Sequence, residues 1–240
     1  MIDRLASIAL IVAALVFSVT LIHGEFFSAA TRTDLYQPKY IEEWSSALGA
    51  SVNSASPDAP VQIMAFVDYQ CPACAVADSV IRQLRRAYPT EVAVHYLHYP
   101  LPAHPQARVA ALAVECAMEF QRFDEMAHIL YSGQEWFGVK RWDEYADDAG
   151  IADIAQFNVC MAEAGHIARI EAGLRWGETF AVLGTPTLVI NGWMFFGGLT
   201  YEQLDTLVSA VRSEELRSDL SPEDVSAIVG HSFRGPTSAM

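Results

Sequence analysis

The sequence contains little positive charge. Its 15 lysine and arginine residues stand against 29 aspartate and glutamate residues, which gives the 240-residue chain a formal net charge of -14. Binding to the phosphates of a nucleic acid requires clustered lysine and arginine side chains. The charge balance therefore argues against a nucleic-acid partner, and we attribute it to solubility rather than to recognition.

Long apolar runs are equally scarce, and the sequence has neither internal repeats nor low-complexity tracts. The one long run covers residues 5–22, between Arg4 and His23. Its length of about 18 residues lies between a long signal-peptide core and a short membrane anchor. We therefore expect residues 1–24 to be a signal peptide or an N-terminal membrane anchor. The rest of the chain is then exported, to the periplasm or to the extracytoplasmic face of the membrane.

Cysteine is also rare, with four residues in the whole chain. In an oxidising compartment, an even number of cysteines suggests disulfide pairs. Cys71 and Cys74 form one pair, which leaves Cys116 and Cys160 in two separate segments of helical pattern. We expect a structural disulfide between Cys116 and Cys160. The alternative is that both are small buried side chains that never meet.

The segment Cys71-Pro72-Ala73-Cys74 lies where an apolar, strand-like stretch ends and a helical pattern begins. A thiol at a helix N-terminus faces unpaired backbone N–H groups and the positive end of the helix dipole, which favour the thiolate. Such a position lowers a cysteine pKa from about 8.5 into the range of about 3.5–7.5. Cys74 follows one turn later, close enough to bond to Cys71. The motif therefore predicts a reversible dithiol.

The order of the expected elements indicates an α/β fold. Strands are expected at residues 61–68, 91–97, 187–190 and 193–196, the last two joined by the hairpin signal Asn191-Gly192. A helix follows the dithiol, a block of helices covers about residues 104–180, and a further helix covers residues 200–211. Because a crossover helix joins the first two strands, we expect them to be parallel. The prediction is a small mixed sheet flanked by helices, with an inserted helical subdomain.

The segments on either side of this core are expected to be ancillary. Residues 25–56 are predicted as a linker with a short helix near Pro38, and residues 213–240 as a tail with a weak helix at residues 221–229. Two groups of side chains are expected to be structural rather than catalytic. The aromatic residues of the hairpin are expected in the core or at its edge: Trp193, Phe195 and Phe196. Three histidines are expected at the surface of the second strand: His95, His98 and His104.

Two motifs together resemble a known family. The segment Phe66-Val67-Asp68-Tyr69-Gln70-Cys71-Pro72-Ala73-Cys74 and the later Gly184-Thr185-Pro186-Thr187 are similar to the DsbA-like branch of the thioredoxin-fold oxidoreductases. Tyr99-Pro100-Leu101-Pro102 and Glu115-Cys116-Ala117 belong to the same resemblance. It implies a DsbA-like, thioredoxin-like domain over residues 57–212, with the helical insertion at about residues 104–180.

The resemblance also implies roles for individual residues. Cys71 would be the attacking thiolate, and Cys74 would be the resolving thiol. Thr185 and Pro186 would form a cis-proline loop beside the dithiol, where the Thr185 backbone can pair with an extended substrate segment. Asp68 is either a proton relay for Cys74 or a turn residue hydrogen-bonded to nearby backbone.

The expected activity is that of a thiol–disulfide oxidoreductase, which oxidises cysteine pairs of exported proteins through a Cys71–Cys74 disulfide and uses no cofactor. A membrane partner would reoxidise it, or would reduce it if the chain acts as a reductase or disulfide isomerase of the same fold. Isomerases of this superfamily dimerise through an added N-terminal domain, and residues 25–56 are too short for one, which argues against the isomerase alternative. We expect a monomer. Two other classes stay open: a zinc site formed by the four cysteines, and a non-enzymatic module that binds extended peptides.

Overall fold

The computed structural model describes residues 36–53, 58–163 and 167–230. Nearly all of them belong to one compact unit that begins at Pro38. The predicted signal peptide or anchor, residues 1–24, lies outside the described residues. Within the described ranges, no helix combines the length and the apolar character that a membrane crossing requires.

A six-stranded mixed sheet forms the centre of this unit. Its strands are β1 (Lys39–Tyr40), β2 (Val52–Asn53), β3 (Val61–Val67), β4 (Val92–His98), β5 (Thr187–Ile190) and β6 (Trp193–Phe196). They lie in the order β1-β6-β5-β3-β4-β2. β3 and β4 are parallel, with Val61 opposite Val92, and all other neighbouring strands are antiparallel. The predicted parallel pair and the predicted hairpin at Asn191-Gly192 are confirmed.

Eight α-helices accompany the sheet in the described part of the chain. They are α1 (Pro72–Ala87), α2 (Ala107–Met118), α3 (Phe123–Ser132), α4 (Trp142–Asp148), α5 (Ile154–Ala162), α6 (Ile167–Thr179), α7 (Tyr201–Arg212) and α8 (Pro222–Val229). Two 3-10 helices cover Trp44–Ala50 and Gln134–Trp136. Because α2 to α6 lie between β4 and β5 in the chain, they form the predicted helical insertion.

The central strands are buried on both faces. Every residue of β4 is buried, and in β3 only Gln62 is partly exposed. The expectation that His95 and His98 lie at a strand surface is therefore wrong, because β4 lies between two other strands and is covered on both sides. Trp193 and Phe195 are 1% and 0% exposed, as expected for core side chains.

The compact unit extends beyond the expected bounds of residues 57–212. β1 pairs with β6 and β2 pairs with β4, so the segment expected as a linker supplies both edges of the sheet. Near Pro38 the chain forms a strand, and the short helix expected in this segment begins later, as the 3-10 helix Trp44–Ala50. α8 lies in the expected tail and packs against α7. Two-residue strands carry no alternation of apolar and polar residues, and their pairing depends on distant partners, which explains the difference.

A disulfide joins Cys116 in α2 to Cys160 in α5, with the two Cα atoms 5.8 Å apart. The two cysteines are 0% and 2% exposed. The bond connects positions 44 residues apart in the chain and cross-links two helices of the insertion, which is the pairing expected from the sequence.

Candidate redox site

The dithiol lies at the junction between β3 and α1. After β3, the Cys71 N–H donates to the carbonyl oxygen of Asp68 at 3.1 Å, which turns the chain into the helix. Cys71 is the N-cap of α1, and Pro72 occupies the first turn, where an N–H would have no partner. The Cys74 N–H donates to the Cys71 carbonyl oxygen at 3.1 Å. The two free cysteines therefore lie one turn apart at the start of the helix.

The Thr185–Pro186 peptide bond is cis and lies against the first sulfur. The Cys71 Sγ lies 3.3 Å from the Thr185 carbonyl oxygen, within hydrogen-bond distance when the thiol is protonated. β5 begins just after this loop, with Thr187 opposite Phe66 of β3. This antiparallel pairing brings the proline loop to the end of the sheet where the dithiol lies, so two motifs far apart in the sequence meet at one site.

The surroundings of Cys71 lower its pKa from 9.0 to about 5. The largest cause is the hydrogen bond that the Cys74 thiol donates to the Cys71 sulfur; burial opposes it, and the Thr185 side chain and the N–H groups of Cys74 and Ala73 reinforce it. The Thr185 hydroxyl has no other hydrogen-bond partner in the described part of the chain, so it is free to donate to a thiolate. Cys71 is consequently a thiolate at neutral pH.

Cys74 has the opposite character. Its side chain is 1% exposed, and burial, followed by the hydrogen bond that it donates to Cys71, raises its pKa far above the ordinary value. Cys74 therefore keeps its proton while Cys71 is ionised. In a dithiol of this kind, one sulfur is an ionised nucleophile and the other is a protonated thiol.

The carboxyl group of Asp68 is fully engaged in hydrogen bonds. Oδ1 accepts from the Gln70 N–H at 2.8 Å, while Oδ2 accepts from the Leu101 N–H at 2.9 Å and lies 2.7 Å from His104 Nδ1. The side chain is buried. Asp68 thus ties the loop before the dithiol to the loop after β4. This arrangement favours the turn interpretation of Asp68 over the relay interpretation.

Gln134, in the helical insertion, holds the dithiol loop from the other side. Its Nε2 donates to the Tyr69 carbonyl oxygen at 2.9 Å and to the Cys71 carbonyl oxygen at 3.0 Å. Sequence reasoning missed this residue, because a lone glutamine 63 positions from Cys71 carries no pattern that would mark it.

A buried cluster of polar side chains packs against Tyr69, two residues before Cys71, and the sequence did not predict its contacts. His98 Nε2 lies 2.7 Å from Glu115 Oε1, and both side chains are 1% exposed. Arg169 Nε lies 3.3 Å from the second oxygen of Glu115. The ring of Tyr69 is 5.7 Å from that of His98. Burial, followed by the charge of Glu115, raises the pKa of Tyr69, so this tyrosine keeps its proton.

Asp78 is the third group that sequence reasoning missed. It lies in α1, four positions after Cys74, and is 6% exposed. Burial is the main cause that raises its pKa to about 6. The sequence did hold a signal, because Asp78 lies beside the apolar positions of the helix: Cys74, Ala77, Ile81 and Leu84.

The disulfide between Cys116 and Cys160 bears on the zinc alternative. Cysteines joined to each other offer no thiolate to a metal ion, so two of the four ligands of that hypothesis are already bonded. Only the dithiol of Cys71 and Cys74 stays free.

Fold and site together define a class: dithiol proteins with a thioredoxin-like core and a helical insertion. Residues 50–210 match the family model Thioredoxin_4, described as thioredoxin. The chain belongs to the thioredoxin family.

Solved structures share this fold. The thiol-disulfide exchange protein alpha-DsbA2 of Wolbachia pipientis superposes with a TM-score of 0.64 at 18% identity, covering 71% of this chain and 93% of that protein. Oxidised BdbD of Bacillus subtilis superposes with a TM-score of 0.62 at 16% identity, covering 74% of this chain and 96% of that one. The fold class expected from the sequence is confirmed.

A curated relative carries a different name. The chain is 32% identical over 164 residues to the Na(+)/H(+) antiporter NhaA 3 of Salinispora tropica, which covers 68% of this chain and 25% of the antiporter. The chain therefore spans about a quarter of the length of that relative.

Proposed function

We propose that this protein is a thiol–disulfide oxidoreductase that oxidises cysteine pairs of exported proteins. The observation that carries the proposal is the asymmetry of the dithiol: the pKa of Cys71 is lowered to about 5, while that of Cys74 is raised. A stable Cys71 thiolate stabilises the reduced protein. A disulfide whose reduced form is stabilised is the stronger oxidant.

In the proposed reaction, a substrate thiolate attacks the Cys71 sulfur of the Cys71–Cys74 disulfide. The bond between the two cysteines breaks, and Cys74 leaves with the electron pair and takes up a proton. A second thiolate of the substrate then attacks the substrate sulfur of the mixed disulfide, and Cys71 leaves as a thiolate. The substrate is oxidised to a disulfide, and the enzyme is reduced to its dithiol.

The Thr185–Pro186 loop is the proposed substrate-binding element of this reaction. The Thr185 carbonyl oxygen lies 3.3 Å from the Cys71 sulfur, so the loop backbone lies beside the reacting atom. An extended substrate segment that pairs with this backbone would have its own cysteine next to Cys71.

The proposal includes export and a redox partner in the membrane that returns the dithiol to the disulfide. It places the chain in the periplasm or on the extracytoplasmic face of the membrane, with residues 1–24 as a signal peptide or membrane anchor. The chain would act as a monomer. Ion antiport is not part of the proposal, because the chain spans only about a quarter of the relative that carries this name.

The redox potential of the Cys71–Cys74 pair tests the direction of the reaction. Full-length protein equilibrated with glutathione buffers should show a potential near that of DsbA, about -120 mV, rather than that of thioredoxin, about -270 mV. Oxidised protein should also transfer its disulfide to a reduced two-cysteine substrate, and Cys71→Ser should abolish this transfer. A thioredoxin-like potential would make the chain a reductase, and transfer that survives in Cys71→Ser would overturn the proposed site.

A further inference from the structure

Thiol–disulfide exchange at this site, which rests on the function proposed above, requires proton transfer at Cys74. When the Cys71–Cys74 bond breaks, Cys74 leaves as a thiolate; when Cys74 attacks a mixed disulfide on Cys71, it must first lose its proton. Cys74 is 1% exposed, so bulk water has little access to this sulfur. A neighbouring group must therefore carry the proton.

Asp68 is poorly suited to this task. Its two carboxyl oxygens already accept two backbone hydrogen bonds and lie against the ring of His104. Both oxygens of Asp68 are therefore committed to partners other than Cys74.

Asp78 has the position and the freedom that Asp68 lacks. It lies four positions after Cys74 in α1, so the two side chains project from the same face of the helix, with Cβ atoms about 5–6 Å apart. Asp78 is 6% exposed. In the described part of the chain, its carboxyl group accepts no hydrogen bond. A buried carboxyl group that accepts no hydrogen bond and lies next to a buried thiol is free to exchange a proton.

A pocket connects Asp78 to solvent. This pocket, here called the α1–α3 pocket, has a volume of about 280 Å³ and is lined by Ala75, Asp78, Ser79, Arg82, Arg86, His128, Tyr131 and Ser132. It is large enough for several water molecules, and most of its lining residues are polar. Protons can therefore pass between Asp78 and solvent without crossing the face of the dithiol that meets the substrate.

Two tyrosines lie close to both Cys74 and Asp78. The rings of Tyr69 and Tyr131 are 5.2 Å apart. Both hydroxyl groups are buried and lack a hydrogen-bond partner in the described part of the chain. Each ring is near enough to both Cys74 and Asp78 for their charges to raise its pKa, after the larger effect of burial. A hydroxyl group both donates and accepts, so each of them can pass a proton on.

We infer that Asp78 carries the proton between Cys74 and the α1–α3 pocket, with the hydroxyl groups of Tyr69 and Tyr131 on the path. In the oxidising direction, the carboxyl group of Asp78 gives its proton to the departing Cys74 thiolate and recovers one from water in the pocket. In the reverse direction, the Asp78 carboxylate accepts the Cys74 proton as the Cys74 sulfur attacks the mixed disulfide. The proton transfer between Asp78 and Cys74 changes no oxidation state and requires no further reactant.

The charges that face Asp78 fit this role. The pKa of Asp78 is raised to about 6 because burial, with a smaller contribution from the charge of Asp124, outweighs the opposing charges of Arg82 and Arg85. The other titratable groups around it are Tyr69, Tyr96, Tyr131, Arg86 and His128. A carboxyl group with a pKa near 6 exchanges protons readily in both directions around neutral pH.

The reaction of the reduced full-length protein with the aryl disulfide dithionitrobenzoate separates the two thiols. Attack by the Cys71 thiolate releases a first coloured thiolate and leaves a mixed disulfide on Cys71. Attack by Cys74 then releases the second and forms the Cys71–Cys74 bond. The first phase therefore reports the proposed function, and only the second phase reports the deprotonation of Cys74.

Asp78→Asn should keep the rate of the first phase and slow the second by about 10²-fold near neutral pH. The wild-type second phase should rise with pH through about 6, where Asp78 loses its proton. In Asp78→Asn, this rise should move to the higher pH at which Cys74 itself ionises. Asp147→Asn, the same carboxyl-to-amide change at an exposed position of α4, is the matched control and should change neither phase.

Tyr131→Phe keeps the inference testable if Asp78→Asn fails to fold, and it should slow the second phase alone. The relay is wrong if the second phase of Asp78→Asn has the rate and pH dependence of the wild-type protein. If Asp78→Asn does not fold, the same result in Tyr131→Phe would overturn the relay. Loss of the first phase in the wild-type protein would instead overturn the proposed function.

Discussion

At the scale of single residues, two cysteines of one short motif acquire opposite acid–base properties. Cys71 caps α1 and receives hydrogen bonds on its sulfur, whereas Cys74 points into the protein interior. The largest single cause of the lowered Cys71 pKa is the thiol of Cys74 itself. The two residues therefore tune each other, and a substitution of one changes the chemistry of the other.

Cys74→Ala removes this donor, so the pKa of Cys71 should rise from about 5 toward its ordinary value. Titration of the ultraviolet absorbance of the thiolate measures the change. Cys74→Ser is the matched control, because its hydroxyl group keeps a hydrogen-bond donor at the same position and should give a smaller rise. Equal pKa values in the two variants would show that the hydrogen bond is not the main cause.

At the scale of secondary structure elements, α6 packs closely on β4 through a glycine. A Cβ atom added at Gly173 would lie 2.3 Å from the backbone oxygen of His98. Backbone atoms in a central strand cannot move aside easily, since β4 is hydrogen-bonded on both edges. The approach of this helix to the sheet, and with it the seating of the insertion beside the dithiol, depends on the missing side chain.

Gly173→Ala should therefore lower the free energy of unfolding by about 1–3 kcal/mol, because overpacking outweighs the gain in helix propensity. Unfolding in urea measures the loss. Gly49→Ala is the control, since a Cβ atom there would have no neighbour within 4 Å. A stability of Gly173→Ala at or above that of the wild-type protein would contradict this account of the contact.

Elements with a strong local pattern could be predicted from the sequence, and those without one could not. β3 is a continuous apolar run, and the hairpin turn carries Asn191 and Gly192, both with positive φ, as a tight turn requires. β1 and β2 have two residues each and exist because β6 and β4 offer partners. Their pairing is a tertiary effect that no local period encodes.

The site divides in the same way. Cys71, Cys74 and Pro186 stand in motifs, and they meet where the resemblance implied. Gln134, Glu115 and Asp78 enter the site through tertiary packing of the insertion and of α1. A single glutamine or carboxylate in a helix is most often solvent-exposed, so its burial becomes visible only in three dimensions.

At the scale of the whole molecule, the chain combines two cysteine pairs of different kinds. One pair lies free beside the proline loop, and the other is bonded inside the insertion. The bonded pair restricts the conformations of the unfolded chain, because it joins positions 44 residues apart. A cross-link of this span stabilises the folded state mainly by reducing the entropy of the unfolded one.

Replacement of this pair in Cys116→Ala/Cys160→Ala should lower the free energy of unfolding by about 3–4 kcal/mol. Denaturant unfolding of both proteins measures the difference. The control is Cys71→Ala/Cys74→Ala, which keeps the cross-link and should still lose stability when a reductant is added. The variant without the cross-link should not lose stability under the same reductant. Equal stability of the cross-linked and uncross-linked chains would show that the bond is strained or redundant.

Both sulfurs of that inner bond are enclosed by the finished protein, at 0% and 2% exposure. Because an oxidising enzyme must reach the sulfurs that it joins, we expect this bond to form during folding, before α2 and α5 pack together. If the function proposed above is correct, each newly made molecule must itself be oxidised at Cys116 and Cys160 before it oxidises other proteins. A cell that begins to make this protein needs another oxidant for the earliest copies, and those copies can then serve their successors.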